Sequence, residues 1–219
     1  MTIKWDKFIN AHVVVLFVLM VSLASFVWAA PGPVTDSLKG TLDKIIDVLK
    51  DPSLKKPGKE DERKNILLKL VKERFDEEAF AMRALGVHWR KRTKEEKQEF
   101  VEIFSDLLER TYLKKIDDYL AKAGNFSGKN IVYLNETVKG RYVVVSTKII
   151  TGDDAKIPVL YLFTNKQGNW LAVDIAIEGV SLVKNYRAQF KEILANSSFK
   201  ELITKLKSKK QTEGTGQKK

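Results

Sequence analysis

The hydrophobic pattern of this 219-residue chain changes its period near the middle, and that change constrains the fold more than any other feature. In the first half, apolar residues such as Leu38, Leu42 and Ile45 recur at helical spacing until Pro52. The second half contains runs rich in β-branched and aromatic residues, which are typical of strands. After Val183 the helical spacing returns. The strand-like runs are residues 131–134, 141–150, 157–164 and 170–177.

Short turns join these runs, and their length decides how the strands pair. The connections contain Gly140, Gly152 and Gly168, and each is too short for the crossover that parallel strands need. The sequence therefore predicts an α+β fold with N-terminal helices, a four-stranded antiparallel meander, and C-terminal helices packed on the sheet.

Side chains that can cap helices mark several helix starts. Thr93 with Glu96, and Ser198 with Glu201, fit the capping box, in which a hydroxyl and a carboxylate each bond a free backbone N–H. Asp76 is a suitable cap for the short helix that follows it. We expect a helix to begin after each of these caps.

The first residues have the pattern of a targeting segment. Lys4 and Lys7 precede a stretch, residues 8–35, that contains no charged side chain, and Ala29 supplies the small residue of a cleavage site. This pattern predicts a secretory signal peptide over residues 1–29 and export to the periplasm. The alternative is an uncleaved anchor, because the apolar stretch approaches the ~20 residues that span a bilayer.

The remainder fits one domain. We expect a single domain over residues 34–207, followed by a disordered, lysine-rich tail over residues 208–219. The net charge is +11, and residues 205–219 carry six lysines and one glutamate. Such a balance suits nucleic acid, an anionic membrane or an acidic partner. Export makes nucleic acid the least favoured partner of the three.

Catalytic residue types are scarce in this sequence. The chain has no cysteine, and His88 is the one histidine outside the predicted leader, so we expect no metal site. Asp174 and Glu178 lie four residues apart near the end of the last strand. They could act as an acid–base pair, or they could brace the junction between the strand and the next helix. We favour the structural role.

The strands are more apolar than a sheet with one wet face requires. Residues 143–145 and 159–163 are apolar on both faces, so something other than water must cover each face. Helices on both sides could form a solid core, or one side could enclose an apolar cavity. The pattern alone leaves both interpretations open.

The last strand and the helix after it carry a family resemblance. Residues 170–183, followed by Asn185, Tyr186, Arg187, Gln189 and Phe190, resemble the signature of the MlaC family, also called toluene-tolerance proteins. The resemblance extends over residues 38–206. Further agreeing positions are Ala84, Leu85, Gly86, Trp89, Arg90, Thr93, Phe100, Phe104, Leu107, Leu108, Thr111, Tyr112, Ile157, Pro158, Val159 and Tyr161.

This resemblance implies an NTF2-like shape with a deep apolar cavity. It implies a periplasmic phospholipid carrier, not an enzyme, with no cofactor beyond its glycerophospholipid cargo. The implied partners are an outer-membrane lipoprotein complex and an inner-membrane ABC transporter with an MCE-domain protein. The implied role is maintenance of outer-membrane lipid asymmetry. Enclosure is physically reasonable, because each exposed CH₂ of an acyl chain costs about 0.8 kcal/mol.

Two residue sets follow as expectations from the pattern and the resemblance. The face of each strand is sensitive to a one-residue error, which would exchange every strand position. The predicted lipid-binding wall is Phe104, Leu108, Tyr112, Val143, Val145, Ile149, Val159, Tyr161, Phe163, Val173, Ile175 and Tyr186. The predicted polar brace is Asp174, Glu178, Gly179, Ser181, Asn185 and Arg187.

Two other functions remain open at this point. An enzyme on a similar fold would use Asp174 or Glu178 as acid or base, in a small polar pocket. A basic adaptor would bind an anionic membrane surface or an acidic partner through the lysine-rich tail.

Overall fold

The computed structural model describes residues 32–123, 128–152 and 154–215, with side chains described except at 113–123 and 209–215. The predicted signal peptide lies outside these residues. The helices are α1 (Pro33–Lys50), α2 (Glu60–Lys72), α3 (Glu77–Leu85), α4 (Lys94–Ala123), α5 (Leu182–Asn196) and α6 (Phe199–Thr215), with 3-10 turns at Gly86–Lys91 and Gly128–Asn130. The strands are β1 (Ile131–Lys139), β2 (Tyr142–Ile150), β3 (Lys156–Lys166), β4 (Asn169–Ile177) and β5 (Val180–Ser181).

The predicted helix caps are confirmed by their hydrogen bonds. The Thr93 N–H donates to Glu96 Oε2 at 3.0 Å, and the Glu96 N–H donates to Thr93 Oγ1 at 3.2 Å. The Ser198–Glu201 box repeats this exchange at 2.6 and 3.2 Å. Asp76 Oδ1 accepts from the Ala79 N–H at 3.0 Å and so caps α3.

The sheet is an antiparallel meander, as predicted, but it has five strands in the order β1-β2-β3-β4-β5. The prediction of four strands is corrected by β5, in which Ile177 pairs with Val180 and Ala176 with Ser181. A strand of two residues is too short to show any hydrophobic period. Otherwise the α+β class and the order of the elements are confirmed.

Tight turns join β1 to β2 and β3 to β4 at one end of the sheet, which we call the hairpin end. Gly140 has a φ of 60°, and β1 continues to Lys139, five residues beyond the predicted run. Gln167 and Gly168 have φ values of 55° and 87°, the pair of positive values that a type I′ turn needs.

Two apolar clusters form the core, and Phe75 packs against both. The helical cluster lies among α3, α4, α5 and α6, where Phe104 stacks with Phe100 and meets Phe190 edge-on at 5.3 Å between centroids. The sheet cluster joins one sheet face to α1 through Val34 and Leu38. We call that face, which packs on α1, the inner face.

Helix α6 continues to Thr215, so residues 208–215 of the predicted disordered tail are helical in backbone. Lysine-rich sequence has good helix propensity, and no glycine or proline interrupts it before Gly214. Within the described ranges, no helix combines the length and the apolar character that a membrane crossing requires.

Candidate functional site

Most of the predicted wall residues on the strands share the inner face. Val143 pairs with Phe163, Val145 with Tyr161, and Ile149 with Ile157, so these side chains point to the same side. Val159 and Ile175 belong to the same set, because Ile175 pairs with Tyr161 and Val159 lies two residues along β3. The alternation of the strands therefore placed these residues together.

Val173 is the exception, because a β-bulge interrupts the alternation in β4. Leu162 pairs with Asp174 and Phe163 pairs with Ala172, which leaves Val173 without a partner. Ala172, rather than Val173, joins the sheet cluster. The sequence analysis placed both Val173 and Ile175 in the predicted wall. That assignment is wrong for Val173, because the extra residue of the bulge shifts the alternation of the strand.

Burial changes along the inner face. In the middle of the face the side chains are fully covered, with Val145 at 0% and Phe163 at 1% exposure. Farther along, four isoleucines on the same face are only half-buried. Thr147 and Val159 between them are buried, so these isoleucines leave apolar surface uncovered at this end of the inner face. These residues, named here the isoleucine patch, are Ile149, Ile157, Ile175 and Ile177.

Helix α4 carries the predicted wall residues that lie outside the strands and α5. Its 30 residues would span about 45 Å at the usual rise. The helix begins with Phe100 and Phe104 in the helical cluster. The chain then reaches Gly128, where an added Cβ would lie 3.4 Å from Asp43 on α1. The predicted wall residues Leu108 and Tyr112 are half-buried on α4, against the helical cluster.

Phe104 and Tyr186, also predicted as wall, lie within the helical cluster and not on the inner face. Their rings meet edge-on with centroids 4.9 Å apart, and Phe104 is 1% exposed. Burial raises the pKa of Tyr112, and a hydrogen bond with Tyr186 acts in the opposite direction. These aromatic residues hold the helices together.

Polar groups on the inner face stay uncharged. Burial raises the pKa of Tyr161 despite a hydrogen bond with Thr147. Burial also raises the pKa of Tyr133, helped by the nearby Asp43 carboxylate. Both tyrosines are neutral at ordinary pH, so they present hydroxyls to an otherwise apolar surface. The sequence prediction missed Tyr133, Thr147, Ile157 and Ile177, which the strand pairing reveals.

The predicted polar brace is centred on Asp174. One carboxylate oxygen accepts from Ser181 Oγ at 2.6 Å, and the other accepts from the Val183 N–H at 3.1 Å. Ser181 Oγ in turn accepts from the Lys184 N–H at 3.0 Å and caps α5. Asp174 therefore joins β4 to the first turn of α5, where the helix dipole favours an anion.

Glu178 and Gly179 shape the turn before β5. Their φ values of 51° and 82° suit a two-residue hairpin turn. The Glu178 N–H donates to the Pro158 carbonyl at 2.9 Å, and the residue is exposed. Glu178 thus acts through its backbone and does not share a site with the Asp174 carboxylate, whose hydrogen bonds go to Ser181 and Val183.

Arg187 braces a different junction. Its Nε donates to the Arg83 carbonyl at 2.7 Å, near the end of α3, where Gly86 has a φ of 61°. Asn185 Oδ1 accepts from Gln189 Nε2 at 3.3 Å, a contact within α5 itself. The predicted polar brace is therefore not one cluster. It consists of the Asp174–Ser181 cap, the turn at Glu178 and Gly179, and a separate contact of Arg187.

The sequence matches the MlaC protein family over residues 39–208, which is most of the chain. This chain belongs to the MlaC family. The resemblance that residues 170–190 carry is thereby confirmed. A search of curated proteins found no match.

The MlaC assignment agrees with a solved structure. A phospholipid-binding protein from Ralstonia solanacearum, solved in complex with a phospholipid, is similar with a TM-score of 0.69. The two sequences are 22% identical, and the match covers 82% of this chain and 98% of that one. At this identity the likeness establishes the shared fold.

Among the described residues of this MlaC-family chain, His88 is the one histidine. His88 lies half-buried in the 3-10 turn Gly86–Lys91. Among the described residues, no group of three or more His, Cys, Asp or Glu side chains is placed to hold a metal ion.

Proposed function

We propose that this MlaC-family protein binds a phospholipid and shelters its acyl chains between the isoleucine patch and the helices beside it. The observation that carries the proposal is the change in burial along one sheet face. Val145 is fully buried, whereas Ile149 and Ile177 on the same face are only half-buried. The related fold from Ralstonia solanacearum was solved with a phospholipid, which supports this choice of ligand.

The energetic reason for such a site is desolvation. Each CH₂ group removed from water gains about 0.8 kcal/mol, so two acyl chains favour an enclosing apolar wall strongly. The half-buried isoleucines gain in the same way when lipid covers them. The neutral hydroxyls of Tyr133 and Tyr161 add no charge that would oppose acyl chains.

Transport is the second part of the proposal. The protein is exported by residues 1–29 and carries lipid through the periplasm, between an outer-membrane lipoprotein complex and an inner-membrane MCE-domain ABC transporter. This traffic maintains the lipid asymmetry of the outer membrane. MlaC family membership and the apolar, uncharged residues 8–35 support this part.

The proposed carriage requires no catalytic residue and no cofactor. The rival enzyme hypothesis relied on Asp174 and Glu178. Each Asp174 oxygen accepts a structural hydrogen bond, and Glu178 is exposed in a turn. This arrangement favours a binding protein over an enzyme.

The experiment is native mass spectrometry of the protein secreted to the periplasm, followed by organic extraction of the same sample. We expect a bound mass that corresponds to one phospholipid, with a diacyl lipid in the extract. A protein that is free of lipid, and stays so after incubation with phospholipid vesicles, would contradict the proposal. Periplasmic fractionation in the same cells tests export separately.

A further inference from the structure

Two arginines from distant parts of the chain meet at one tyrosine hydroxyl. Arg83 Nη1, from α3, donates to Tyr142 Oη at 3.3 Å. Arg141 Nη2, from the β1–β2 turn, donates to the same oxygen at 2.7 Å. The two guanidinium carbons lie 5.4 and 4.9 Å from the centre of the Tyr142 ring. Residues 59 positions apart in sequence therefore build one cationic corner.

The positive charge of this corner is not balanced by a carboxylate. Within the described part of the chain, neither Arg83 nor Arg141 forms an ion pair, whereas Arg92 pairs with Glu96 at 3.4 Å. The hydrogen bond from Arg141 and the two arginine charges lower the pKa of Tyr142. Like charges gathered in this way favour the binding of an anion.

The corner also has hydrogen-bond donors in excess. Arg83 Nε is buried and has no hydrogen-bond partner. Tyr142 Oη accepts from both guanidinium groups, which occupies both lone pairs and leaves its O–H free to donate. A buried N–H without an acceptor is unfavourable, so an oxygen-rich ligand would improve this site.

Arg141 also lines a pocket of about 630 Å³, whose wall does not include Arg83 or Tyr142. Val138, Val143 and Trp170 make much of that wall apolar. Glu136 is the acidic residue in the wall, but its Oε2 accepts from the Thr35 N–H and hydroxyl, each at 2.7 Å. That carboxylate is thus committed to the start of α1. The pocket lies at the hairpin end, away from the isoleucine patch.

We propose that Arg83, Arg141 and Tyr142 form a binding site for a phosphate group, separate from the acyl-chain site. Guanidinium groups match phosphate oxygens in geometry and charge, and the Tyr142 hydroxyl supplies another donor. The source is either soluble phosphate or the phosphate of a lipid whose apolar part enters the pocket that Arg141 lines. The inference does not depend on the proposed function, because it concerns another end of the sheet.

Isothermal titration calorimetry with the delipidated mature protein tests this site. The probes are inorganic phosphate, dihexanoyl phosphatidylglycerol below its micelle concentration, and dihexanoylglycerol, which lacks phosphate. The variants are Arg83→Gln and Arg141→Gln. The control is Arg90→Gln, which removes an exposed arginine from the 3-10 turn outside this corner. Arg141 is itself exposed in a turn, so its variant is expected to fold.

We expect at least one phosphate-bearing probe to bind, with about tenfold weaker affinity in each site variant and unchanged affinity in Arg90→Gln. Binding of both probes identifies a site for any phosphate, and binding of the lipid probe alone identifies lipid phosphate. Equal affinities of wild type and Arg141→Gln for both probes would overturn the inference, as would binding no weaker for dihexanoylglycerol. Phospholipid retained by Arg141→Gln on purification distinguishes this site from the acyl-chain site.

Discussion

At the scale of single residues, Asp174 carries the clearest structural role. Its two oxygens bind Ser181 and the α5 backbone, and it is 8% exposed. We expect Asp174→Ala to lower the free energy of unfolding by about 1–3 kcal/mol, because it leaves a nearly buried N–H without an acceptor. Urea denaturation followed by circular dichroism measures this loss.

Glu178→Gln is the matched comparison for Asp174→Ala. Glu178 is exposed and contributes its backbone to the turn, so we expect unchanged stability and unchanged phospholipid content. A large change in stability or in phospholipid content would contradict this assignment and would favour a functional role for the Glu178 carboxylate.

Gly32 and Gly40 offer a pair of glycines with opposite expected effects. A Cβ on Gly32 would lie 2.2 Å from a Glu136 oxygen, whereas a Cβ on Gly40 meets nothing within 4 Å. We expect Gly32→Ala to displace Glu136 from Thr35 and to cost about 1–2 kcal/mol. Gly40→Ala should stabilise α1 by up to about 1 kcal/mol. Thermal unfolding compares the two, and equal effects would contradict the Glu136 contact.

Contacts between residues that are far apart in sequence, such as that of Glu136 with Thr35, could not be predicted from the sequence. Glu136 and Thr35 are 101 positions apart, and no local pattern links them. The Asp174 brace was foreseeable because Asp174 and Ser181 are near neighbours in sequence. The family signature also marked both residues.

At the scale of elements, features that depend on a few consecutive residues were again easier to predict from the sequence than features that depend on strand pairing. The capping boxes at Thr93 and Ser198 were predictable because they need only four consecutive residues. The bulge at Val173 was not, because the extra residue looks like any other in a β-branched run. It moved Ala172 to the inner face in place of Val173.

The helix α6 cap gives a prediction at this scale. We expect Ser198→Ala to lower the free energy of unfolding by about 1 kcal/mol, since it removes the acceptor of the Glu201 N–H. The neighbouring Ser197, whose hydroxyl forms no hydrogen bond with the described residues, serves as the control. Chemical denaturation of the two variants should separate them. A loss of equal size in Ser197→Ala would argue against capping as the cause.

At the scale of the whole molecule, one sheet face combines fully buried residues in its middle with half-buried isoleucines toward one end. The sequence could not separate these, because a packed core and a cavity wall use the same residue types. The buried middle of the inner face has the packing of a solid core, and the proposed lipid site lies where the isoleucines are half-buried. Val34 and Leu38 of α1 pack on the face, Val34 also lines the pocket at the hairpin end, and the isoleucine patch is only half covered.

The central claim is that lipid occupies the space beside the isoleucine patch. Ile177→Trp would fill that space with a larger side chain and leave the sheet register unchanged. Leu160→Trp is the control, because Leu160 is 41% exposed and its pairing with Ser146 and Ala176 places it on the opposite face. Both changes add a similar volume, and they lie on neighbouring strands. A difference in bound lipid between the two variants therefore reports which sheet face the lipid occupies, and not a general effect of introducing tryptophan.

The most direct measurement is the fraction of each purified variant that retains phospholipid, counted by native mass spectrometry. We expect Ile177→Trp to lose most of its bound lipid and Leu160→Trp to retain the amount found in the wild type. Full lipid occupancy in Ile177→Trp, or equal loss in both folded variants, would contradict it.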